Sequence, residues 1–462
     1  MEIDATAAAL AGNPAAPAGV LLRLLGVGGY EVVERLRWRT TMPDEVAVAM
    51  ARHPDRRVRH ALAESWTAAP EHRALLLDGP PSDAMVLAGG AVPYRAEVAP
   101  LPDWAYERLL AHERGMVRYE AVNAPTVPAH VLVPLAAHED PLFRLAACRR
   151  VWHELDDGVR RALLDDGDHA VRTAAALHVM AEDEERTAVL AGELADDWRL
   201  AEVLERGRLS RALAEELLDR GERLWALALN PTFPDDLAAR LAAHEDPRVR
   251  LSVSARPGLT DEQRAAVAWT VAPEDRLDTL WWVWRSRHDP DVLRRCAASA
   301  HPWLRRSAAV CAELPADAVG LLARDDDFAV RLLLAERHPG APPELLLDLY
   351  LHEHGTHRAV FALTSRPRFP ARGLAARFAD AGDPQARALA VRDPDAPPAL
   401  LDRLSRDPDG RVAGPATGDP RLPLPRLLEL LDDPRLGMFA AYNPALPVAR
   451  MHALLDRAGV PR

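Results

Sequence analysis

Short amphipathic stretches recur along the chain, each pair joined by a polar turn. In NPTFPDDLAARLAAHEDPRVRLSVSA (230–255), Leu237 and Leu241 share one helical face at i, i+4. Past the HEDP turn, Val249, Leu251 and Val253 supply the next apolar positions. Asn230-Pro231 marks a turn, because the residue before a proline is pushed out of the helical region. Pro234 suits a first helical position, where no N–H is needed, and Asp235 and Asp236 favour the positive end of a helix. In the following unit Thr260 replaces the proline, and TDEQ (260–263) offers a capping box for the same job. Helices of about 8–10 residues are too short to stand alone in water, so stacking must supply the core.

The pattern is periodic. Proline pairs spaced i, i+3 start at Pro14, Pro125, Pro231, Pro339, Pro367, Pro394, Pro420 and Pro444, with steps of 28, 27, 26 and 24 residues from Pro339 onward. The heptapeptide LAAHEDP occurs at 135–141 and again at 241–247. A fixed period in this range signals stacked supersecondary units. Residues 142–230 contain no proline and are predicted as longer paired helices of HEAT type. Residues 77–102, with GPP and AGG, are predicted as an irregular loop or hinge, and 231–459 as the most regular repeats.

The units NPTFPDDLAARLAAHEDPRVRLSVSA, DPDAPPALLDRLSRDPDGRVAGPA and NPALPVARMHALLDRAG resemble leucine-rich repeat variant (LRV) units, relatives of HEAT repeats. That resemblance implies an all-α, right-handed α-solenoid over 1–462, built from two-helix repeats that pair an α-helix with a shorter, often 3-10, helix. The cysteine-rich iron–sulphur module of some family members is not implied, since no cysteine precedes Cys148.

Composition narrows the function. A formal charge of −12 disfavours a general nucleic-acid binder. The chain has no apolar run long enough to span a membrane and no evident signal peptide, which points to the cytoplasm. Every basic residue is arginine, a bias expected of a GC-rich bacterial genome. The three cysteines are isolated, so neither disulfides nor a zinc ribbon is expected. The His-Glu-Asp triplets at 138–140 and 244–246 drift to other residues in sibling units, as turns do and ligand sets do not. HEHGTH (352–357) lacks the HExxH spacing and falls at the same register. No cofactor or metal is expected. Arg144, Arg172, Arg250, Arg331, Arg387 and Arg411 recur as a ladder expected to pair with turn aspartates. No GxSxG, GxxxxGK[ST] or Rossmann motif nominates an enzyme.

One segment stands apart, LDTLWWVWRSRHDPDVLRRCAASAHPWLRR (277–306). The spacing of Leu277, Leu280, Trp281 and Trp284 predicts a helix with these four in the core. Asp278, Trp282 and Arg285 form a second row, and Trp303 follows a turn proline where sibling units are mostly polar. Trp282 and Trp303, framed by Arg285 and Arg306, are therefore either an exposed anchor for a protein or peptide partner or the filling of a wide groove between units. The alternative is a HEAT-like nucleic-acid binder or DNA glycosylase-like enzyme using the same segment, by analogy of composition.

Overall fold

A computed structural model describes residues 4–90, 98–353 and 358–462. Among them every regular element is a helix, and no helix is long and apolar enough to cross a membrane. The chain divides into two compact units, Met1–Leu163 with Ala371–Arg462, and Leu164–Pro370.

Each repeat is a helix, a turn and a second helix, as in Asp235–Leu241 and Pro247–Ser254. The first starts where Pro234 fixes an extended backbone, and the second where Asp246 accepts the N–H of Arg248. The same aspartate N-cap opens the helices at Pro141, His169, Phe328, Pro384 and Gly410. Each such cap contributes about 1 kcal/mol. Both helices of the 235–254 pair are α rather than α and 3-10; 3-10 turns occur at Leu75–Asp78, Val133–Ala137 and Trp152–Glu154. Segment 77–102 is less irregular than predicted. Pro81–Gly89 is an α-helix that packs on Arg56–Ala63 and Gly115–Asn123, with Pro81 at its first turn; residues 91–97 lie outside the described residues.

The turns explain why HED drifts. The Nδ1 of His53, His112, His138 and His244 each accepts the backbone N–H two residues on, at 2.9–3.1 Å. Asp166, Asp325 and Asp407 do the same with Oδ1, at 2.8–2.9 Å. The fold asks for an acceptor there, and a neutral imidazole or a carboxylate serves. Residues 354–357 of HEHGTH lie outside the described residues.

The recurrent arginines close the same turns. Arg144, Arg172, Arg250 and Arg331 donate through Nη1 to the carbonyls six and five residues back. Beyond their own turn carbonyls, Arg387 also forks onto an aspartate of the next repeat, Asp407, at 2.8 and 3.0 Å, and Arg305 onto Asp325 at 2.7 and 3.2 Å. Arg411 falls two residues early and binds its own helix cap, Asp409. A second set of arginines is buried and reaches into the Asn-Pro turn of the preceding repeat. Arg256 donates to Ala228, Asn230 and Phe233, and Arg39 to Ala11, Asn13, Pro14 and Ala16. Burial pulls the Arg39 guanidinium down to about 10, against a weaker pull upward from Tyr442.

In the first unit the helix row has no gap at the chain ends. Second helices pack in the order Pro384–Arg392, Gly410–Gly418, Gly437–Tyr442, and then Ala5–Ala9, Tyr30–Arg37 and Arg56–Ala63. Asn443 Nδ2 donates to Thr417 and Asp419 carbonyls of the preceding repeat at 2.8 and 2.7 Å. Asn13 Nδ2 donates to the Ala441 and Asn443 carbonyls, both at 2.8 Å, so residue 13 follows residue 443 as one repeat follows another. Arg23 adds an ion pair with Asp456 at 2.6 Å and a hydrogen bond to the Pro461 carbonyl. Gly12 is needed here, because a Cβ would stand 2.9 Å from the Tyr442 ring.

Candidate functional site in the tryptophan and arginine segment

The helix predicted from Leu277 begins only at Trp281 and ends at Arg285, and residues 268–280 carry no helix. Tertiary partners consume the backbone that a longer helix would need. The Leu280 N–H goes to Ser307 Oγ at 3.1 Å, and the Asp278 carbonyl accepts Trp303 Nε1 at 2.7 Å. The stripe fails with the helix: Leu280 is buried, Trp281 half-buried, and Trp284 is 50 % exposed.

Two of the expected anchor residues are interior. Trp303 is 8 % exposed, and its indole N–H is spent on Asp278. Arg248 and Arg435 at this position are exposed and Gln385 is buried; at Trp303 the ring packs against the chain at Asp278. Arg306 is 4 % exposed; it forks onto Asp327 at 2.8 and 3.2 Å and binds the Asp275 carbonyl at 2.9 Å. Neither offers a surface to a partner. A base-stacking role for Trp303, on which the glycosylase-like analogy leaned, has no exposed ring to use.

Trp282, Arg285 and Asp278 are accessible. Asp278 and Arg285 are exposed, and Trp282 is half-buried with its N–H on the Ala255 carbonyl at 3.0 Å. The arginines stack on their helical neighbours: Arg285 lies 5.2 Å from the Trp281 ring centroid and Arg287 4.0 Å from that of Trp284. The spacings i, i+4 and i, i+3 were the sequence signal for these pairs. Beneath them the Glu205 carboxyl is raised by burial, which outweighs Arg206 and the Trp281 N–H.

A serine–histidine contact nearby is structural. Ser254 Oγ lies 2.9 Å from His301 Nε2, and both residues are buried. His301 Nδ1 accepts the Trp303 N–H at 3.2 Å as a helix cap, so Nε2 carries the proton and donates to the serine. Ser254 donates in turn to the Leu251 carbonyl at 2.7 Å. A nucleophile needs the opposite polarity. Burial, then Arg264 and Arg305, hold His301 down to about 3, so it stays neutral. Burial also pushes the Cys296 and Cys311 thiols up to about 12 and about 11, leaving them unreactive. Among the described residues no group of three or more His, Cys, Asp or Glu side chains is placed to hold a metal ion.

No family model and no curated protein matches the chain. Solved structures similar to it include the karyopherin Kap121p, at 12% identity over 96% of this chain and 55% of that one, TM-score 0.26. Kap121p bound to RanGTP aligns at 10% identity over 95% of this chain and 54% of that one, TM-score 0.22. An engineered protein aligns at 14% identity over 96% and 94%, TM-score 0.18. The chain spans about half the length of the karyopherin chains it matches, and these likenesses reach no further than stacked helices.

Proposed function

We propose that the chain is a non-enzymatic scaffold of LRV type that binds a protein or peptide partner through its helical-repeat surface in the cytoplasm. The observation that carries the reading is the pairing of half-buried Trp281 with exposed Arg285, and of exposed Trp284 with Arg287, on one short helix and the turn that follows it. Rigid aromatic rings stacked under arginine supply large contact area at little entropic cost, the composition of interface hot spots. Asp278 and Trp282 flank this patch; Trp303 and Arg306 only support it from behind. Turn closure and capping engage many of the other polar side chains, which supports a binding surface over a reaction centre.

The test is crosslinking capture from the native host, followed by affinity measurement with each purified candidate. Trp284→Ala and Arg285→Ala should each weaken a true partner by about tenfold or more while leaving the melting temperature unchanged. Equal affinity of both variants and the unaltered protein for every captured partner would reject this surface.

A further inference from the structure

Behind Trp282, within the second unit, lies a cleft of about 620 Å³. Its walls include Arg264, Arg295, Trp282, Ser299, Leu259 and Leu304. Small-molecule sites usually span about 300–1,000 Å³ and combine an apolar wall with a few convergent polar groups.

Arg264 is what distinguishes this cleft. Several buried arginines are more heavily engaged: Arg39 by four carbonyls, Arg256 by three carbonyls and Asp235, Arg306 by carbonyls and Asp327, Arg59 by Asp83 and two carbonyls; Arg73, like Arg264, has one carbonyl acceptor, Ala99, but does not line this cleft. Arg264 is 6 % exposed, yet its side chain donates only to the Ser254 carbonyl and forms no ion pair among the described residues. Asp261, which also lines the cleft, is engaged by the Ser299 hydroxyl at 2.8 Å. Arg295, which also lines the cleft, makes no hydrogen bond or ion pair among the described residues. A desolvated guanidinium with spare donors, in a cleft that a second arginine also lines, favours an oxyanion. The Trp282 N–H is committed to Ala255, so the indole offers the cleft its flat apolar surface.

We propose that this cleft binds a small molecule bearing a carboxylate or phosphate, with the anion between Arg264 and Arg295 and a planar body along Trp282. The site is separate from the Trp281/Trp284 patch and does not depend on a protein partner. Calorimetric titration of the full chain tests it with four probes: benzoate, adenosine 5′-monophosphate, adenosine and inorganic phosphate. At least one aromatic anion should bind below about 1 mM, with adenosine at least about tenfold weaker than its monophosphate if the anion is a phosphate. Phosphate alone should bind more weakly than the aromatic anion, because it forgoes Trp282. Arg295→Ala, an exposed residue whose loss leaves the fold intact, should weaken binding by about tenfold. Arg264→Gln should weaken it further, with its melting curve recorded beside it. The proposal falls if neither aromatic anion binds in that range, if adenosine 5′-monophosphate binds there and adenosine equals it, or if Arg295→Ala binds as the unaltered chain does.

Discussion

The repeat joint at Asn13 and the segment 256–306 are opposite uses of one building plan. At Asn13 the side-chain amide has prescribed partners, so the repeat at Asn13 docks on that at Asn443 with the same two hydrogen bonds as Asn443 on its predecessor. In 256–306 the plan is interrupted: two helices of five residues, Asp261–Ala265 and Trp281–Arg285, flank a helix-free stretch. There aromatic rings reach solvent and arginines are left with unspent donors. Regularity consumes polar side chains; its interruption releases them for binding.

The contrast is sharpest between two tryptophans of the segment. Trp303→Ala removes a buried ring and should lower stability by about 3–5 kcal/mol, whereas Trp284→Ala should stay within about 0.5 kcal/mol in the same denaturation experiment. Comparable losses would erase the distinction between support and surface. In the regular region, Arg39→Met strips four carbonyls of their donor and should cost about 3 kcal/mol, read as a shifted denaturation midpoint.

His301 gives the interrupted region its own pH dependence. Its folded value, about 3, lies below the ordinary 6.5. The unfolded chain therefore takes up a proton that the folded chain refuses. Stability is retained above pH about 6.5 and falls as pH drops toward 3, by about 1.4 kcal/mol per unit. Between pH 6.5 and 5 the loss should be about 2 kcal/mol. His301→Ser, which keeps a capping oxygen, should flatten that slope in paired stability measurements; an unchanged slope would assign it to other groups.

Smaller effects probe the repeat itself. Asn13→Ala and Asn230→Ala each orphan two carbonyls and should cost about 1–2 kcal/mol apiece, equal within error if the joint is an ordinary repeat step. His244→Asp should be nearly neutral, within about 0.5 kcal/mol, since Asp166 and Asp407 already fill that role.

The repeat was legible because turn chemistry is local: Asn-Pro, the aspartate caps and LAAHEDP announce themselves within a few residues. The joint was not, since a periodic sequence does not say which repeat its last one will meet. The functional segment was misjudged for a related reason. Leu277, Leu280, Trp281 and Trp284 carry helical spacing, but hydrogen bonds to Ser307 and Trp303, 25 or more residues away, hold 278–280 out of a helix. Arg264 and Arg306 look alike in sequence; only their three-dimensional partners separate a saturated arginine from an available one.

The joint also sets a clock on folding. Asn13 finds its acceptors 428 and 430 residues away. At a synthesis rate of about 5–20 residues per second, the first repeat waits roughly 20–90 s for the last to emerge. Through that interval the side of Ala5–Ala9 that will meet Gly437–Tyr442 stays uncovered, so a helix made hundreds of residues earlier is among the last to be finished.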